Sequence, residues 1–395
     1  MNNPVTCDIF CAVVDNYGDI GVCWRLARQL AHEHGVAVRL WVDDLGSFAR
    51  LCPEADAQLA QQHCRGVEVR HWVALFSEAE PADLVIEAFA CKLPERYVAA
   101  MAAQERKPVW INLEHLSAED WVAGCHKMPS PHPQLPLVKY FFFPGFTPQT
   151  GGLLLERDLP VRRDAFQGDP LAVAAFWQSL GIPVPQAEET RTSLFCYENP
   201  ALPKLLTAWA GGSAPISCLV PEGRALPQVA AFFGQAQAAP GDIFKRDSLQ
   251  VYVLPFVEQE RYDELLWACD INFVRGEDSC VRAQWVGKPF VWHIYPQHDG
   301  VHMKKLHAFM ELYCTGLPLD AAQALCGLWE AWNPSAGSGQ DSGRDVLAGW
   351  NNFWMHRSML RQHAHDWAQG LSGNNLVLNL LDFFHSIDRM RGFKI

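Results

Sequence analysis

TCDIFCAVVDNYGDIGVCWRLARQLAHEH, residues 6–34, carries both the fold and the chemical question of this chain. Its first nine residues form an apolar run of strand length, and beyond Gly21 the residues Trp24, Leu26, Ala27 and Leu30 recur at helical spacing. A strand feeding a helix through a glycine-containing turn opens a βαβ unit, and VAVRLWVDD (36–44) supplies the next strand. Within the turn, Asp15 and Asp19 flank Gly18. A turn that holds a dinucleotide would show three spaced glycines, so that bare backbone can approach the pyrophosphate. Here only Gly18 and Gly21 are present, and the two carboxylates disfavour an anion even at a helix N-terminus. Capping explains either acid singly, Asp19 at the helix start and Asp15 at the strand end. Two acids in one turn lean towards holding something cationic.

Working outward, the alternation continues. VEVRHW (67–72), ADLVIEAFA (82–90) and PVWINLE (108–114) read as strands, with the helical ERYVAAMAAQER (95–106) between the last two. MPSPHPQLP (128–136) and FPGFTPQTGGLLLERDLPV (143–161) interrupt the pattern and place a domain junction nearby. Five further strands follow: RTSLFCYE (191–198), PISCLVP (215–221), SLQVYVLPF (248–256), DINFVR (270–275) and PFVWHIYP (289–296). ALPKLLTAWAG, RYDELLWA and CVRAQWVG fit helices between them. The expected class is α/β, with two doubly wound halves over 1–160 and 161–371 and a ligand in a cleft between them. After about residue 300 the chain reads as helical, apart from the insertion NPSAGSGQDSGRD (333–345). The last helix, within 372–395, is expected to cross back onto the first half.

Composition narrows the function. At 395 residues the chain exceeds the roughly 250–300 at which single cores stop growing, which agrees with two domains. Its formal charge of −12, with no block of clustered Lys and Arg, argues against nucleic acid as a partner. No run of about 18 apolar residues or secretory leader is present, so a cytoplasmic protein without a membrane partner is expected. The 13 cysteines are odd in number and lack any Cys-x-x-Cys, and Cys7, Cys11 and Cys196 lie inside apolar runs. Neither a disulfide framework nor a zinc site is implied.

The densest polar stretch is VRGEDSCVRAQWVGKPFVWHIYPQ (274–297). Ser279 or Asp278 is expected to cap the helix that follows, leaving its first N–H groups for a diphosphate, with Arg275 adding a fork suited to phosphate oxygens. Glu277 reads either as a first-turn acid facing the helix dipole or as an acceptor from a sugar hydroxyl or an incoming cation. His293, His298, His302 and His307 match no zinc spacing, and no Asp-x-Asp is present. No catalytic metal is expected.

The pairing of DNYGDIGVCWRLARQL with this second stretch, joined by FACKLPE (89–95), INLEHLSAE (111–119) and LPFVEQ (254–259), resembles the EarP family, bacterial arginine rhamnosyltransferases that modify elongation factor P. The likeness runs from about residue 6 to 370. It departs from the family at CYEN (196–199) and at the insertion around 335–345. The resemblance implies a GT-B glycosyltransferase fold, with two Rossmann-like domains facing across a cleft. It implies dTDP-β-L-rhamnose as donor, an arginine of folded elongation factor P as acceptor, inversion at the sugar, and no cofactor or metal. By the same carry-over Asp19 would be the general base, with Asp15 beside it and Glu277 as the acidic partner from the other domain. Asn16, Tyr17, Gly18 and Gly21 would complete the acceptor loop. The nucleotide sugar would meet Phe195, Tyr197, Phe256, Gln259, Arg275, Asp278, Ser279 and Tyr295.

This resemblance gives the paired acids a purpose. A guanidinium with a pKa of about 12.5–13.8 stays protonated and is a poor nucleophile. Converging carboxylates can grip its fork, polarise one nitrogen and accept its proton as the bond to the sugar forms. Two rival readings are an epimerase of related fold, which would convert the nucleotide sugar unaided, and a non-catalytic partner of a translation factor.

Overall fold

The computed structural model of the chain describes residues 4–15, 17–73, 79–297, 300–334 and 345–392. Contacts divide it into two units, Met1–Arg157 with Ser372–Ile395, and Asp158–Leu371.

The first unit runs β1 (Thr6–Cys11), α1 (Gly18–His34), β2 (Ala37–Val42), α2 (Leu45–Leu51), β3 (Gln61–Cys64), β4 (Val67–His71) and β5 (Leu84–Ala88). It continues with α3 (Glu95–Ala103), β6 (Val109–Leu113), α4 (Trp121–Cys125), β7 (Pro129–Pro131) and β8 (Val138–Phe142). The sheet order is β3-β4-β2-β1-β5-β6-β8-β7, parallel except for the pairings of β3 with β4 and β7 with β8. β1 is central, so nearly all its side chains are buried, as its apolar run requires. Phe10 stacks on Trp41 at 5.4 Å within a cluster that includes Val85, Tyr97, Met101 and Trp110.

Asp8 is the exception in that strand, fully buried and charged. It is satisfied by Arg39 Nε (2.6 Å), Trp41 Nε1 (3.0 Å), the Ala82 N–H (3.1 Å) and the Tyr97 hydroxyl. A buried carboxylate is tolerable only with such complete pairing.

The terminal helix, Leu376–Gly392, completes this unit. Leu153 N donates to Asn374 O (3.1 Å), Leu376 N to Leu153 O (2.9 Å), and Asn375 Nδ2 to Leu155 O (2.6 Å). Leu376, Val377 and Leu380 are buried. The approach is close at Gly152, whose φ is +81° and where a Cβ would strike the backbone of Asn374.

The second unit opens with α5 (Leu159–Gly168), α6 (Pro170–Ser179), β9 (Thr190–Leu194), α7 (Leu202–Ala210), β10 (Ile216–Pro221) and α8 (Leu226–Phe232). β11 (Ile243–Arg246), β12 (Leu249–Leu254), α9 (Gln259–Ala268), β13 (Ile271–Arg275), α10 (Asp278–Val286) and β14 (Phe290–His293) follow. It closes with α11 (Val301–Tyr313), α12 (Leu319–Trp332), α13 (Val346–Met355) and α14 (Arg357–Leu371). Its sheet order is β11-β12-β10-β9-β13-β14, with β11 antiparallel and the rest parallel. The five strands expected from the sequence are all present, and β11 is added at the edge.

Each sheet reverses its winding once, between β1 and β5 in the first unit and between β9 and β13 in the second. Connections leave in opposite directions there, opening a crevice at the strand carboxyl ends where α/β sheets bind ligands. Of the two motifs singled out in the sequence, one follows β1 and the other follows β13. Among the described residues no helix is long and apolar enough to cross a membrane.

Candidate active site

In the first unit, α1 starts at Gly18 with Tyr17 at its N-cap and no side-chain cap. Asp19 is only 8 % exposed and does not cap the helix. Its Oδ2 instead reaches back into the turn and accepts from the N–H groups of Val14 and Asp15, each at 2.9 Å. Oδ1 takes no hydrogen bond from a described residue. One oxygen therefore anchors the carboxylate in the turn.

Asp15 closes the same turn. Its carbonyl accepts from Gly18 N at 2.7 Å, and its Oδ2 lies 2.9 Å from where a Cβ on residue 18 would sit. A Cβ at residue 18 would push that carboxylate aside from the helix start. Gly21 N bonds Tyr17 O at 2.9 Å, continuing the helix. Asn16 lies outside the described residues.

The loop after β5, next to β1 in the sheet, was not singled out residue by residue in the sequence. Phe89, Ala90 and Lys92 have φ of +54°, +55° and +57°, a conformation that non-glycine residues seldom adopt. It is held by Ala90 N to Asn112 Oδ1 (3.1 Å), Lys92 N to Glu87 Oε1 (3.1 Å) and Cys91 Sγ to Phe10 O (3.3 Å). Glu87, also buried, binds Lys139 Nζ (3.1 Å) and Trp110 Nε1 (3.1 Å). Phe89 stacks on the exposed His115 at 4.6 Å.

In the second unit, Arg275 ends β13 and Glu277 stands at the N-cap of α10. The expectation that Ser279 or Asp278 caps α10 is corrected, for no side chain caps that helix. The Ser279 hydroxyl accepts from Arg275 N (3.0 Å) and donates to Arg275 O, so it clamps the β13–α10 turn. Asp278 accepts from the buried Gln259 at 3.3 Å.

Arg275 is 5 % exposed, with its guanidinium over the rings of Phe195 (4.3 Å) and Tyr197 (4.7 Å). Its one hydrogen bond from the guanidinium to a described residue is long, 3.5 Å from Nη1 to Cys196 O. Stacking covers the face of the group and leaves the N–H edge for an anion. Tyr197 meets His293 (5.2 Å) and Tyr295 (5.5 Å) edge to face, and Tyr295 is 41 % exposed. Phe256 is half-buried after β12.

His293, opposite Arg275 in the β13–β14 register, is buried, and its Nδ1 has no hydrogen-bond partner among the described residues. Burial pushes its pKa down to about 3, with Arg275 and then His302 adding to the effect. It is therefore neutral beside a fixed positive charge. His302 Nδ1 accepts from Gln297 N (3.1 Å), His307 pairs with Glu330 (3.2 Å), and His298 lies outside the described residues. Among the described residues no group of three or more His, Cys, Asp or Glu side chains could hold a metal ion.

Each unit thus gathers charged groups at its switch point: Asp15 and Asp19 at a helix start in one, and the stacked guanidinium of Arg275 beside a helix start that also bears Glu277 and Asp278 in the other. With this fold, they define a glycosyltransferase of the GT-B class. Acinetobacter baumannii MurG shares the fold at a TM-score of 0.52 and 12 % identity, over 97 % of this chain and all of that one. The family model described as Elongation-Factor P (EF-P) rhamnosyltransferase EarP matches residues 7–385, and the chain belongs to that family. It is 52 % identical to the protein-arginine rhamnosyltransferase of Pseudomonas putida over 383 residues, covering 96 % of this chain and 99 % of that one. The Pseudomonas aeruginosa protein of the same name is 51 % identical over 380 residues, 95 % of this chain and 98 % of that one. A solved structure bearing on EarP-mediated arginine glycosylation of translation elongation factor EF-P is 38 % identical, with a TM-score of 0.68 over 96 % of this chain and 99 % of that one.

Proposed function

We propose that this enzyme transfers L-rhamnose from dTDP-β-L-rhamnose, with inversion and without a metal, to an arginine side chain of translation elongation factor P in the cytoplasm. Family membership supports the sugar and the acceptor. The observation that carries the chemistry is Asp19, with Oδ2 fixed by two backbone N–H groups and Oδ1 taking no hydrogen bond from a described residue. Asp15 and Asp19 grip the guanidinium, Oδ1 of Asp19 accepts its proton, and the nitrogen attacks the anomeric carbon as the bond to the diphosphate oxygen breaks. The N–H edge of Arg275 and the start of α10 stabilise the leaving diphosphate, while Tyr197, Phe195, Phe256 and Tyr295 supply faces for the nucleotide and sugar. Glu277, at the N-cap of that helix, faces the sugar or the incoming cation.

The test is to incubate the protein with dTDP-β-L-rhamnose and elongation factor P and to seek a deoxyhexose mass increment on one arginine. The donor alone should survive unchanged, and its conversion would favour an epimerase. EDTA should leave the rate intact, and loss restored by magnesium would refute the metal-free account. Arg275→Lys, which loses the planar fork, should raise the donor KM about 10- to 100-fold, as expected for a charged hydrogen bond of about 1.5–3 kcal/mol.

A further inference from the structure

All 13 cysteines are free thiols, and most are fully enclosed. Two thiol pairs, Cys11 with Cys23 and Cys52 with Cys64, interact where oxidants do not reach, each residue at 2 % exposure or less. Of the partly exposed cysteines Cys91, Cys125, Cys314 and Cys326, only the last two are hydrogen-bonded to each other, with the sulfurs 3.6 Å apart. Cys314 ends α11 and Cys326 lies within α12. The turn between them is fixed by Leu317 N to Cys314 O (3.0 Å), Thr315 N to Leu312 O (3.2 Å) and Gly316 at φ +86°. The ion pair between His307 on α11 and Glu330 on α12 ties the same two helices.

We propose that Cys314 and Cys326 form a reversible redox site, which a hydroperoxide converts to an intrachain disulfide across the α11–α12 turn. The geometry needs little change, since the sulfurs close from 3.6 Å to about 2.05 Å between helices already held together. The pair is also asymmetric. The hydrogen bond it shares with Cys314 draws the Cys326 thiol below its ordinary range, against burial and the nearby Glu330. That same bond, with burial, pushes Cys314 up. Cys326 is therefore the attacking sulfur and Cys314 the resolving one.

Cys326 loses its proton to solvent and attacks a peroxide oxygen. The O–O bond breaks, hydroxide leaves, and Cys326 becomes a sulfenic acid. The Cys314 sulfur then attacks the Cys326 sulfur, the S–O bond breaks, and the departing hydroxide takes the Cys314 proton as water. With hydrogen peroxide the sum is two thiols oxidised by two electrons and one peroxide reduced to two waters. A dithiol reductant reverses it by thiol–disulfide exchange.

The experiment treats the reduced full-length protein with graded hydrogen peroxide, blocks remaining thiols with N-ethylmaleimide and maps the peptides by mass. Cys314 and Cys326 should lose alkylation together, before the other cysteines, and appear linked to each other two hydrogens lighter, a mass difference that dithiothreitol restores. In Cys314→Ser, dimedone should capture a sulfenic acid at Cys326, and in Cys326→Ser, Cys314 should remain alkylatable at the same dose. Full alkylation of both at doses that oxidise other cysteines would overturn the proposal. So would over-oxidation of either without a linked peptide, or dimedone capture at Cys314 in place of Cys326.

Discussion

A carboxylate anchored through one oxygen makes a directional base, and this fixes what its amide should do. In Asp19→Asn the N–H groups of Val14 and Asp15 will claim the amide oxygen, turning the NH2 outward where an acceptor is needed. The fold should persist while kcat falls about 100- to 10,000-fold, the usual worth of general-base catalysis, with donor KM little changed. His293 gives a pH signature. Its folded pKa of about 3 lies below an unfolded value of about 6.5, so between these the unfolded chain binds a proton that the folded chain refuses. Stability should therefore fall as pH drops from about 6.5 towards 3, by at most about 1.4 kcal/mol per unit, and His293→Gln should flatten that slope in urea titrations at each pH. The sequence showed the acids around Gly18 because Asp, Gly and a following helix form a local pattern. It did not show the left-handed run at Phe89, Ala90 and Lys92, because no residue type there favours positive φ and its restraints come from Asn112 and Glu87 elsewhere.

At the scale of elements, the helix that begins after the β13–α10 turn is held by a buried charge pair. Arg282 on α10 donates Nε and Nη2 to Asp263 on α9 at 3.0 and 2.7 Å, both side chains at most 2 % exposed. Arg282→Met would take the guanidinium from a buried carboxylate and should cost about 3–5 kcal/mol. Tryptophan fluorescence in urea reads that loss, and Asp263→Leu in the same chain should recover much of it. The main strands of both sheets were legible because parallel strands buried on both faces read as continuous apolar runs. β8 was not, since Val138–Phe142 lies inside a proline- and glycine-dense stretch that reads as a junction. The edge strands β3, β7 and β11 were missed for another reason: each is three or four residues long, too short for a periodicity to show.

For the whole molecule the decisive feature is that the chain leaves its first unit at Arg157 and re-enters it at Ser372. Sequence suggested the return from the amphipathic run after Leu376, but the seam that receives it depends on Gly152, whose φ and close approach to Asn374 admit no side chain. Gly152→Ala should therefore loosen the terminal helix, and limited proteolysis between 372 and 392 should speed up before any cut in the second unit. The same seam orders events during synthesis. The second unit is one uninterrupted stretch, whereas the unit carrying Asp19 is completed only once the Leu376–Gly392 helix has emerged. A chain interrupted before Ser372 would thus hold the whole of its second unit but only part of its first.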